Sequence, residues 1–121
     1  MEDISDEFAI MYERAEKCMK EEFAAEQAIV IMTGKNEMYS FANFDVLSGN
    51  TEAENRFVQL LNLKNDTEVV KCICVWRDGM PDIPLWHFRD MLGSMNPRNQ
   101  DTKILLKAKE GYIIKEIKDM K

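Results

Sequence analysis

The chain lacks most of what would let it cross a membrane, staple itself with disulfides or grip a polyanion. No apolar run approaches the roughly 20 residues of a membrane span, which excludes an integral helical membrane protein. Proline and glycine are scarce, three and five residues, so the chain is neither collagen-like nor a low-complexity linker. The three cysteines are an odd number. The opening MEDISDEF is acidic where a secretory signal needs a positive n-region. Together they predict free thiols in a reducing, cytoplasmic compartment rather than a disulfide framework. Basic residues are outnumbered, 16 against 22 acidic, for a formal charge of -6 and a pI near 4.8. A nucleic acid would be repelled over most of such a surface. Small molecules and other proteins remain as partners.

What is present is an ordinary globular composition, 45% hydrophobic and 31% charged over 121 residues, enough for a single domain, 1–121, with its own core. Ile4, Phe8, Met11, Ala15, Cys18 and Met19 recur at helical spacing and predict an amphipathic helix from Ser5 to about Phe23. AIVIMT and MYSFAN, joined by GKNE, predict a hairpin, and FDVLSGN a loop. A second helix opens at Thr51 and ends near Asn65, with Ala53, Phe57, Leu60 and Leu61 as its apolar face. EVVKCICVW, from Glu68 to Trp76, is apolar on both faces except at Lys71, as a strand covered on both sides should be. Pro84 falls in the first turn of a third helix that Ser94-Met95-Asn96-Pro97 stops. TKILLKAK and YIIKEIK flank Glu110-Gly111 as a final antiparallel hairpin.

This order, α-ββ-α-β-α-ββ, predicts an α/β fold: a three-layer α/β/α sandwich on a mixed five-stranded sheet.

The order resembles the cytidine deaminase family, and so do an x-Ala-Glu at the head of the second helix and a proline-led third helix some thirty residues on. The resemblance covers nearly the whole chain. In that family the second helix begins His-Ala-Glu or Cys-Ala-Glu and the third Pro-Cys-x-x-Cys; the His or Cys and two cysteines hold zinc and the glutamate shuttles protons. Here the same positions read Glu52-Ala53-Glu54 and Pro84-Leu85-Trp86-His87-Phe88. Glu54 is retained, whereas Glu52, Leu85 and Phe88 stand at the metal positions. Catalytic zinc needs about three protein donors, and Leu85 and Phe88 have no lone pair to give. The resemblance therefore implies a degenerate member in which no zinc cofactor is expected, Leu85 and Phe88 filling the space of the metal. Asn43-Phe44-Asp45 partly matches the family's ribose-binding Asn-x-Glu, which implies substrate contacts at Asn43, Phe44 and Asp45. Turn residues capping a strand end give the same pattern. The closing hairpin is that of the free-nucleoside deaminases, which implies a homo-oligomer, dimer or tetramer.

Three groups carry two readings each. Thr51-x-x-Glu54 is a capping box, in which the glutamate folds back onto the helix start; the other reading is a retained acid whose pKa apolar neighbours raise. His87, the chain's only histidine, lies about 100° round a helix from Phe88. That spacing predicts a partly buried or surface histidine pointing away from the site rather than a ligand. Cys72 and Cys74 alternate with Ile73 and Val75 and read as core residues before they read as ligands. The leading expectation is a catalytically inactive, zinc-free protein that binds a nucleoside-like small molecule or a protein partner. Its alternative is an enzyme of altered chemistry using Glu54 and Glu52, with His87 assisting.

Overall fold

A computed structural model describes residues 5–120. Ser5 caps the first helix, α1 (Asp6–Glu21), its side chain accepting from the Phe8 amide at 3.4 Å while Asp6 and Glu7 complement the helix dipole. Ile4, assigned to the apolar face of this helix from its spacing, lies outside the described residues. The helix ends two residues before Phe23, which is 87% exposed.

Five strands follow the expected order: β1 (Gln27–Thr33), β2 (Met38–Asn43), β3 (Val69–Trp76), β4 (Lys103–Lys107) and β5 (Tyr112–Glu116). They form one sheet in the order β2-β1-β3-β4-β5, antiparallel except for the β3–β4 pair. The parallel pair is the one joined by a helix, as a crossover connection requires.

Alternation along the strands builds two cores. Ala28, Val30, Met32, Ile73, Val75 and Leu105 face α1, meeting Phe8, Met11, Ala15 and Met19. Ile29, Ile31, Cys72, Cys74, Ile104 and Leu106 face the opposite layer of α2 (Glu52–Leu63) and α3 (Trp86–Met95), which contributes Phe57, Leu61, Phe88 and Leu92. The three-layer α/β/α sandwich is thus the observed fold. Cys72 and Cys74 are fully buried core residues, as their strand spacing indicated.

Several boundaries shift for local reasons. The second helix closes in a Schellman motif: Asn65 adopts the left-handed conformation at φ 52, its amide bonds the Asn62 carbonyl, and the Asp66 amide bonds the Leu61 carbonyl. Leu60, expected on the buried face, is 40% exposed. Pro84 does not enter the third helix, whose N-cap is Leu85 in an extended conformation. A bridge from Val75 to Pro81 and a bond from the Asp82 amide to the Cys74 carbonyl keep residues 81–82 extended alongside β3. After α3, Asn96 caps an unanticipated 3-10 turn, Pro97–Asp101. Asn99 in that turn is fully buried, accepting from the Val69 amide and donating to the Thr67 and Leu92 carbonyls.

A buried acid–imidazole site

The heads of α2 and α3 meet the start of β1 and the end of β2 at one end of the sheet. Each contributes a polar side chain to a buried cluster: Gln27, Asn43, Glu54 and His87. Gln27, Asn43 and Glu54 are fully buried, and the His87 side chain is 14% exposed. The Glu54 carboxyl sits between two partners. Its Oε2 accepts from Asn43 Nδ2 at 3.0 Å, and its Oε1 lies 2.6 Å from His87 Nδ1. The second contact is close without meeting hydrogen-bond alignment. Asn43 Nδ2 also donates to Gln27 Oε1 at 3.0 Å.

Burial raises the Glu54 pKa above its ordinary value, and His87 and Asn43 pull it back in part. Beneath the cluster, burial pushes the Cys74 thiol well up, with Cys72, Asp82 and Glu54 acting in the same direction. An acid held in this way keeps its proton to higher pH than an exposed glutamate.

Two expectations are corrected here. Glu54 is not a capping residue. Thr51 makes no side-chain cap; its Oγ1 accepts from Asn55 Nδ2, and the free amide of Glu52 is met by Asn50 Oδ1 at 3.1 Å instead. With Asn50 filling the cap, the Glu54 side chain turns inward. His87 does not point away either. Because α3 begins only at Trp86, the face aimed at the head of α2 carries His87, while Phe88 one residue on turns into the aromatic core, its ring centroid 5.8 Å from Phe41 and 6.5 Å from Phe57. Trp86 is 69% exposed beside it.

The fold itself is matched by solved structures. A crystal structure of cytidine deaminase from Mycobacterium leprae superposes with a TM-score of 0.70 at 13% identity, over 96% of this chain and 98% of its own. A mutant cytidine deaminase from Mycobacterium tuberculosis gives 0.66 at 12% identity, over 98% and 95%. The enzyme from Burkholderia pseudomallei gives 0.66 at 11%, over 97% and 96%. This chain has a cytidine deaminase-like fold. No sequence-family profile matches it, and no curated protein matches it in sequence. At such identities the likeness establishes the fold, and the site has to be judged on its own residues.

Deaminase-like folds imply zinc, and the residues present do not fit it. Glu52 is turned outward, its side chain 64% exposed and paired with Arg56 one helical turn on. Leu85 is the half-buried N-cap of α3 and Phe88 is fully buried, and neither has a donor atom. Among the described residues no three of His, Cys, Asp and Glu gather so as to hold a metal ion. Of the residues matched to ribose recognition, Asn43 is enclosed with Glu54, Phe44 is half-buried against the α1-side core, and Asp45 is exposed in a left-handed conformation at φ 52. The deaminase-like frame thus joins Asn43 to Glu54 and leaves Asp45 and Glu52 facing solvent.

Gln27 belongs to the cluster although no spacing or motif singles it out. Its signal is a polar residue opening an otherwise apolar strand, QAIVIM, where a buried amide needs a partner. Nothing at the level of spacing pairs it with Asn43, 16 residues away.

Proposed function

We propose that this chain is a zinc-free, catalytically silent protein on the deaminase-like fold, working by binding rather than turnover. The observation that carries this reading is the approach of Glu54 Oε1 to within 2.6 Å of His87 Nδ1, at a place where Leu85 and Phe88 offer no metal donors. A glutamate that must shuttle protons between a metal-bound water and a substrate has to be free to reach both. Glu54 is instead fully buried, its Oε2 hydrogen-bonded to Asn43 and its Oε1 facing His87 Nδ1. The ligand class is a nucleoside-like small molecule or a protein partner, with Phe44 and Asp45 as the reachable residues of the Asn43-Phe44-Asp45 match and Asn43 enclosed behind them, and the working form is a cytoplasmic homo-oligomer.

Incubation of the purified protein with cytidine, with and without added zinc, is expected to give no uridine. Turnover that a chelator abolishes would overturn the reading. A rise in melting temperature with nucleoside concentration would identify the small-molecule branch, since a ligand bound only by the folded state must stabilise it.

The raised pKa of Glu54 favours one second reading, metal-free acid–base chemistry with Glu54 as the acid and His87 its proton partner. It predicts a turnover that survives chelation and is lost in Glu54→Gln. Glu52, exposed and paired with Arg56, stands apart from that pair.

A further inference from the structure

We propose that the β2 edge of the sheet is a docking site for an extended peptide strand whose side chains alternate basic and apolar. β2 is an outer strand whose neighbour in the sheet is β1, and its register runs unbroken from Gln27↔Asn43 to Met32↔Met38. Outer strands in natural proteins are shielded against chance pairing by charge, proline or a bulge. Met-Tyr-Ser-Phe-Ala-Asn has no charged residue and no proline. The opposite edge differs within the strand itself: β5 contains Lys115 and Glu116, whereas the charges nearest β2, Lys35, Glu37 and Asp45, lie beyond its ends.

The β2 edge is flanked by a groove on each face, and the two grooves share Ser40, Phe41 and Ala42. On the α1 side, about 750 Å³ is lined by Glu13, Arg14, Lys17, Glu21 and Glu22. Three carboxylates face two cations there, and Arg14 already donates to Ser40 Oγ at 3.0 Å. On the α2 side, about 400 Å³ is lined chiefly by Phe41, Phe44, Ala53, Phe57 and Leu60. A strand adding to β2 would send alternate side chains to opposite faces. The acidic groove selects lysine or arginine for one face, and the aromatic groove selects aliphatic side chains for the other. The chain's charge of -6 adds attraction at long range.

The probe is a capped octapeptide of alternating lysine and valine, titrated into the ¹⁵N-labelled full chain. Saturable amide shifts concentrated on Met38–Asn43 are expected. A blocked peptide of four lysines then four valines, and an alternating glutamate–valine peptide, should each bind at least about tenfold more weakly. Glu21→Lys, on the exposed last turn of α1, should weaken the first peptide about fivefold, the effect of one surface charge pair. Equal binding of the blocked peptide would reduce the effect to unspecific charge attraction and overturn the proposal. So would shifts spread away from β2, or indifference to Glu21→Lys. Protection of the β2 amides that grows with protein concentration, without peptide, would assign the edge to a second copy and overturn it as well.

Discussion

A buried carboxyl group without a counter-charge is among the costlier things a small core can contain, and Glu54 has one neighbour that can answer it, His87. Removing one partner of such a pair should cost far more than the pair is worth. His87→Leu is therefore expected to destabilise the chain by about 3 kcal/mol at neutral pH, with Glu54→Gln in that background recovering about half. Urea denaturation of the four members of the cycle measures this, and additive effects would show that the pair is not coupled. The glutamine can be met, because among the described residues Gln27 Nε2 and Asn43 Oδ1 have no hydrogen-bond partner and both amides can turn to pair with it. The pH dependence has a definite sign. The folded pKa of Glu54 lies above the ordinary 4.5, so the folded state binds the proton more tightly than the unfolded chain. Its favourable contribution is complete below 4.5 and is lost as pH rises through the raised value. Thermal melts from acid toward neutrality should show this downward component in the parent and not in Glu54→Gln; identical slopes would mean that the carboxyl titrates as if exposed.

The elements were legible because each carries a local period. The 3.6-residue spacing of Phe8, Met11, Ala15 and Met19 and the two-sided apolar run of β3 are properties of adjacent residues, and among the described residues the three α-helices and five strands come in the expected order, with ends shifted by one or two residues. The site was legible in part: Glu54 and Asn43 could be named from the sequence, and Leu85 and Phe88 offer no metal donors, but nothing paired Glu54 with His87. That pairing depends on where α3 starts. With the helix starting two residues late, after the extended segment held against β3 through Pro81 and Asp82, His87 meets Glu54 at the head of α2 and Phe88 packs on Phe57 further along it. No sequence period records such a delay. Phe88 in turn acts at the level of layers, fastening α3 to α2 and to β2 through Phe57 and Phe41. Phe88→Ala should cost about 3–5 kcal/mol, the toll of an aromatic cavity. A loss below about 1 kcal/mol would show that the ring does not hold the layers.

On the scale of the whole molecule, the chain has the deaminase-like architecture, and at one end of its sheet the described residues bring together an acid and an imidazole. Fold and function separate readily, since the frame is held by two apolar cores that do not involve the metal positions except at Phe88. No hydrolysis of cytidine is expected from such a frame. Zinc content is the most direct test, measured by elemental analysis on protein purified without chelator or metal-binding tag. A value near zero per chain is expected, whether or not zinc is supplied during growth. About one zinc per chain would contradict the central claim, because it would require Glu54, His87 and the cysteines to rearrange into a metal site that their present geometry does not form.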